Sequence, residues 1–319
     1  MPRQREGSPF TGLSTIALKE AADHMTSARI HLVLLLILLT AIGAVYAAIG
    51  QIKATVSEDQ FLFLSLFTTA RDPLPSFVAF LGFLLPLVAI ALGFDGINGE
   101  YNRRTLSRVL AQPIYRDAFL TGKFLGGLLV IAMCLLTLWL LVTGMGILLL
   151  GLPPGGEEIV RGLAFLLASF VYAGIWLAVS LVFSTLFRSP ATSALAALAL
   201  WLIFTIFWSM LAPLIASAFV HVDIYDPVSQ LRFIELQRGI ARVSPQTLYD
   251  EMTLGLLNPT TRAFGPIFTS QLKNALMGSP LPLSESLRLV WPQLAGMIAA
   301  VVLLFTVAYV SFQRQEIRA

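Results

Sequence analysis

Residues 124–150 read FLGGLLVIAMCLLTLWLLVTGMGILLL, twenty-seven consecutive positions without an Asp, Glu, Lys, Arg or His. As a helix this run is about 40 Å long, more than the roughly 30 Å hydrocarbon core of a bilayer. It has no side fit for water, so its solvent is lipid. Five further runs of the same kind stand at 32–50, 77–94, 163–187, 194–220 and 290–312, and none of them contains an ionisable residue. Composition agrees: the chain is 57% hydrophobic and 12% charged, with a mean hydropathy of +0.81, against roughly 45–50% apolar and 25% charged in soluble domains. The sequence predicts an all-α integral membrane protein with six transmembrane helices, in contact with membrane lipid and without a nucleic-acid partner. The first run begins next to His31 and is longer than a signal-peptide core, so no cleaved leader is expected and Met1 to Ala319 reads as the mature chain.

An even number of spans puts both termini on one side. Twelve Lys and Arg fall on that side, from Arg3 to Arg318, against three (Lys53, Arg71, Arg161) in the two short loops opposite. The long segment 221–289 does not count, because loops of more than about 60 residues cross largely regardless of charge. The expectation is a multi-pass protein of the plasma (cytoplasmic) membrane with both termini in the cytosol.

Three polar segments remain. In the N-terminal arm, Ser14 can cap a helix with Leu13, Ile16, Ala17, Ala21, Met25 and Ala28 on one face and Lys19, Glu20 and Asp23 opposite, which reads as an interfacial helix. In 221–289, Pro227 opens one helix and Ser244 with Pro245 caps a second that stops at Asn258-Pro259. That predicts a small external helical insertion between spans five and six, within a single permease domain covering 1–319. The third segment is the loop 95–123.

Chemistry is sparse. Cys134 is the only cysteine, and His24, His31 and His221 share no ligand spacing, so no disulfide and no metal site are expected. Spans without ionisable groups disfavour an ion- or proton-coupled carrier. Their Thr137, Thr143, Ser169, Tyr172, Ser180 and Ser184, with Phe170, Trp176, Trp201, Phe204 and Trp208, either line a path for an amphiphilic cargo or pack helices and face lipid. Gly122 and Gly126 form a GxxxG that serves packing within the chain or between copies. Pro86 kinks span two, and Trp291 and Tyr309 read as interface anchors. The acids of 221–289, among them Asp226, Glu235, Asp250, Glu251 and Glu285, read as a solvated helix surface rather than a catalytic pair.

The segment 93–127 reads GFDGINGEYNRRTLSRVLAQPIYRDAFLTGKFLGG. A helix is expected from Gly99 to Gln112, ended by Pro113, with Leu106, Val109 and Leu110 on one face and Glu100, Arg103, Arg104 and Arg108 at spacings of three or four. Such a helix can act as a lever, joined through Pro113, Ile114 and Arg116 to span three. The ordered set Glu100, Thr105-Leu106, Leu110, Pro113-Ile114, Arg116 and Gly122-Lys123 resembles the cytosolic signature of type-2 ABC exporter permeases. The succession of amphipathic arm, coupling helix and external insertion is similar to that family along the whole chain. Residues 242–259, RVSPQTLYDEMTLGLLNP, resemble the subgroup related to the permease of nitrous-oxide-reductase maturation.

The resemblance implies a coupling helix whose Glu100, Arg103, Arg104, Thr105, Leu106, Leu110, Pro113, Ile114 and Arg116 meet an ATPase. It implies two copies of that ATPase and a second permease in a homodimer or heterodimer, with a homodimer of this chain favoured. It also implies outward movement of lipids, lipid-linked glycans, peptides or drugs, of which a lipid-like or amphiphilic cargo suits these spans. It further implies that ATP and magnesium belong to the ATPase, with no cofactor on this chain. Independently, Gly122-Lys123 is followed by Phe124, so no GxxxxGK[ST] nucleotide loop is present. Two rival readings stay open: a membrane subunit holding an extracytoplasmic partner on 221–289 during assembly or maturation, and a membrane-embedded enzyme that modifies lipid or glycan. Topology is directly testable. An alkaline-phosphatase reporter fused after Ala319 is expected to be inactive and a cytosolic reporter at the same place active; the reverse would invert the assignment.

Overall fold

The computed structural model describes residues 12–54, 61–104, 115–151, 153–221, 225–264 and 280–315. In chain order its helices are α1 (Leu13–Met25), α2 (Ala28–Ala54), α3 (Leu62–Thr68), α4 (Phe77–Gly93), α5 (Asn98–Asn102), α6 (Arg116–Leu150) and α7 (Gly156–Leu186). Then come α8 (Pro190–Leu202), a π-helical turn (Ile203–Phe207), α9 (Trp208–Phe219), α10 (Pro227–Ala241), α11 (Pro245–Leu257) and α12 (Leu283–Gln313). Six helical segments among the described residues are long and apolar enough to cross a membrane: α2, α4 with α5, α6, α7, α8 through α9, and α12. Helices outrun the apolar stretches that announce them. Thus α6 starts at Arg116 rather than at residue 124, and α7 at Gly156 rather than at 163, so both carry charge inside their length: Lys123 and Arg161.

The axis of the bundle is α7. In its most apolar stretch 78% of residues are buried, against 11% in the fifth span and in α12. Around it pack α4, α6, α11 and α12, while α2 lies on α4 and α6. At the end of the bundle where the chain termini lie, α1 runs along α6. Glycine permits the contact: a Cβ on Gly122 would come 2.7 Å from Ile16 Cγ2, and one on Gly126 would come 2.9 Å from the Ala17 carbonyl. The GxxxG pair therefore packs the chain against itself. Gly12, with φ 84°, precedes the first turn of α1 without a side-chain cap, so Ser14 lies inside the helix rather than capping it. The buried side of α1 is also turned from the expected one and includes Glu20, whose side chain is 13% exposed.

Pro86 sits in the middle of α4 and has no N–H for the carbonyl four residues back. That carbonyl belongs to Gly82, and the Tyr172 hydroxyl of α7 is 3.1 Å from it and 2.6 Å from Gln246 Oε1. Tyr172 and Trp176 are wholly buried within the protomer, so these two aromatic positions pack helices.

The helices announced by Pro227 and Ser244 are present. Asp226 caps α10 by accepting from the Val228 and Ser229 amides, and Ser244 Oγ caps α11 by accepting from the Gln246 amide. They do not rest on the ends of the spans. Instead α10 folds back along α9, where Trp208 Nε1 donates to the Ile240 carbonyl (3.0 Å), and Ser244 Oγ donates to the Phe204 carbonyl in the π turn (2.8 Å). From there α11 returns along α7. Tyr249 is fully buried, stacks on Tyr172 (4.4 Å between centroids, 12° between planes) and shares a hydrogen bond with Ser169. Tyr172 lies fourteen residues from Leu186, about 21 Å along α7. The α10–α11 hairpin thus reaches to the middle of the spans, because its apolar residues and two capped tips find partners there.

At the end opposite the termini, Arg161 is fully buried and uses all five of its N–H donors. Nε and one terminal nitrogen donate to Glu157 Oε1 (3.0 and 2.8 Å), and the remaining donors reach the carbonyls of Leu256 and Leu281 and Ser286 Oγ (3.0, 2.6 and 3.0 Å). This residue pins the end of α11 and the start of α12 to α7. Replacing Arg161 by Met strands those acceptors and is expected to cost about 3–5 kcal/mol, read as a large fall in the melting temperature of the detergent-solubilised protein. Glu285→Gln, which breaks the exposed pair with Arg288, should change stability by less than about 1 kcal/mol.

Candidate functional site

The loop that carries the family signature starts on a rigid platform. After α4, Arg29 at the start of α2 grips Asp95 with both terminal nitrogens (3.1 and 3.3 Å), and its guanidinium lies over the Phe94 ring (4.7 Å). Ser184 of α7 caps α5 from a distance of more than eighty residues, its Oγ accepting from the amides of Ile97 (2.9 Å) and Asn98 (3.3 Å). The side-chain amides of Asn98 and Asn102 donate to the carbonyls of Phe187 and Arg188 just after α7 (3.2 and 3.1 Å).

Lys123 joins three elements here. Its side chain is 4% exposed, and Nζ is 2.8 Å from Glu20 of α1 and 3.5 Å from Glu100 of α5. Two carboxylates around one buried ammonium compensate its desolvation. His24 is buried beside them with Nε2 3.8 Å from Glu20. Burial pushes its pKa down, outweighing the pull of Glu20, and Lys123 and Arg29 add repulsion, so the ring is neutral at pH 7. Glu20, His24, Arg29, Asp95, Glu100 and Arg103 line a polar recess of about 210 Å³ next to Lys123.

The residues singled out in the sequence fall into three groups. Glu100 and Arg103 meet at this recess, and Arg104 is exposed beside it. Arg116 does not join them: it donates to the carbonyls of Gln313 and Gln315 (3.4 and 2.9 Å) and covers the Phe312 ring, tying the start of α6 to the end of α12. Asp117 strengthens that seam by accepting from the Tyr309 hydroxyl (2.9 Å) and Gln313, so Tyr309 is held by protein as well as by its place at a helix end. Thr105, Leu106, Leu110, Pro113 and Ile114 lie outside the described residues. The expected continuous helix from Gly99 to Gln112 does not form as such: α5 stops at Asn102 and Arg104 takes a left-handed backbone (φ 54°). A residue in the left-handed region cannot carry on a right-handed helix, so Arg104 ends the run.

Sequence reasoning missed Glu20, Asp95, Lys123 and Ser184 as parts of one assembly. Their only signal is polarity at the edge of an apolar run. It also took Glu251 for a solvated acid, whereas Glu251 accepts from Arg242 Nε (2.9 Å) and Gln293 Nε2 (2.8 Å) and holds α11 to α12.

Residues 14–317 match the family described as ABC-2 family transporter protein. Two relatives named probable ABC transporter permease protein NosY are similar over most of their length. That of Pseudomonas aeruginosa is 28% identical over 282 residues, 86% of this chain and 87% of the relative. That of Stutzerimonas stutzeri is 25% identical over 309 residues, 94% and 97% of the two chains. A match that begins in α1, runs through all six membrane-crossing helices and ends beyond α12 makes this chain a member of the ABC-2 family, a multi-pass permease subunit of an ABC transporter.

Proposed function

We propose that the chain couples ATP hydrolysis on a separate ATPase subunit to outward movement of an amphiphilic or lipid-like cargo. In this reading the end bearing both termini faces the cytosol, the ATPase supplies ATP and magnesium, and it docks on 95–123 together with α1. The observation that carries the proposal is the platform around Lys123. It ties the loop to α1, α2, α6 and α7, so a force on residues 103–115 is delivered to four helices at once. Exposed Arg103 and Arg104 offer the ATPase charge at the edge of the recess. A second permease copy completes the path, and two ATPases sit beneath the pair. The fifth span supports that assembly by leaving Leu202, Ile203, Ile206, Phe207, Met210 and Leu214 exposed. A second reading, favoured by the likeness of 242–259 to the nitrous-oxide-reductase maturation subgroup, is that the external side of 221–289 holds a protein under assembly.

Affinity purification from mild detergent should bring down a stoichiometric ATPase with activity in the eluate; a clean, inactive permease would remove the exporter reading. In that complex, Arg103→Glu with Arg104→Glu is expected to lower coupled ATPase activity at least fivefold while yield and melting temperature hold, because both side chains are exposed. Unchanged activity would move the docking surface elsewhere.

A further inference from the structure

The spans lack ionisable groups over their apolar stretches, yet the hairpin brings one to their level. Asp250 lies in the second turn of α11, next to Tyr249, whose ring stacks on Tyr172 near the middle of α7. Its hydrogen-bond donor, Gln246, lies against Gly82: a Cβ there would be 3.1 Å from Gln246 Nε2. Gly82 is five residues inside span two from Phe77, about 8 Å along the helix. Asp250 is therefore level with the outer part of the apolar spans, not beyond their ends. An acid at that depth is costly unless something compensates it, and such residues mark function.

No cation among the described residues compensates it. Among the described residues Asp250 has no ion-pair partner; the neighbouring Arg242 is committed to Glu251 and Arg161 to Glu157. Its one side-chain hydrogen bond comes from Gln246 Nε2 to Oδ1 (2.8 Å). Gln246 is oriented in turn by Tyr172, whose hydroxyl donates to Oε1, so the amide N–H side faces the carboxylate. Asp250 is exposed at the surface, with Gln246 and Thr247 one turn before it on α11 and exposed Leu254 one turn after. The result is a fixed carboxylate at the depth of the apolar spans, with Leu254 exposed beside it.

We propose that Asp250 is a cargo-binding residue that takes the positively charged head group of an amphiphilic cargo, held in place by Gln246 and Tyr172. This deepens the exporter reading and rests on it. Leu254 and the apolar spans beside it take the cargo's apolar part, and the carboxylate supplies the counter-charge that the spans do not. Gln246 and Tyr172 act as positioning residues, since they touch Asp250 or each other rather than the cargo.

The test uses the purified permease–ATPase complex in nanodiscs and two ions of equal shape and opposite charge, tetraphenylphosphonium and tetraphenylborate. By equilibrium dialysis, after subtracting for each ion the uptake of empty nanodiscs of the same lipid, tetraphenylphosphonium is expected to bind at least tenfold more tightly than tetraphenylborate, and Asp250→Asn to abolish that preference. Asparagine keeps the carbonyl that accepts from Gln246, so the fold is retained and only charge is lost. Asp250→Glu should preserve the preference. Equal binding of both ions, or a preference untouched in Asp250→Asn, overturns the inference. So does dissociation of the permease pair in Asp250→Asn, which would assign the carboxylate to a basic residue of the second copy. Basal ATPase activity reads the exporter proposal separately: an active complex without charge preference rejects only the role of Asp250.

Discussion

Inside a bilayer, a backbone carbonyl or amide without a partner costs several kcal/mol, so every break in a membrane helix must be closed from elsewhere. This permease breaks its spans and closes them with side chains from distant positions. Pro86 frees the Gly82 carbonyl, and the Tyr172 hydroxyl shares its one proton between that carbonyl and the nearer Gln246 Oε1. The π turn of the fifth span presents the Phe204 carbonyl, and Ser244 donates to it. Beyond Gly93 the chain leaves span two, and Ser184 accepts from the first amides of α5. Each repair joins two elements, and together the repairs fix where the hairpin and the loop must lie.

Buried charge obeys the same rule. Arg161 at one end and Lys123 at the other are almost inaccessible to solvent, and each is surrounded by acceptors drawn from several elements. Arg161 has one acceptor for each donor, so its burial organises α7, α11 and α12 rather than weakening them. Lys123 between Glu20 and Glu100 does the same for α1, α5 and α6. These assemblies stand at opposite ends of the long helices α6 and α7. Between them, α7 carries the loop's Ser184 contact at one end and the Tyr172–Tyr249 stack to the hairpin further along.

Function in this family member is divided accordingly. One end of the bundle gathers polar groups around the loop that the proposed exporter would use to receive mechanical input. The other end and the hairpin shape the surface beside the spans, where Asp250 has no ion-pair partner among the described residues.

Six spans, the helical class and the hairpin helices were legible in the sequence, because each depends on local properties: apolar length, Pro at a first turn, and Asp226 or Ser244 as a cap. The signature loop was legible as a candidate site, and Glu100 and Arg103 do meet at the recess. The true ends of α6 and α7 were hidden, since Lys123 and Arg161 interrupt an apolar run without interrupting a helix. Arg116 looked like part of the docking set and instead closes a seam with α12. Whether Glu251 faces water or Gln293, whether Glu20 lies on the polar or the buried side of α1, and how deep α11 reaches were settled only by tertiary structure. By itself the sequence determined which segments must leave water, a question answered by each segment's own transfer free energy. Which polar group pairs with which was decided by the packed bundle, because those partners lie tens to hundreds of residues apart and no local pattern brings them together.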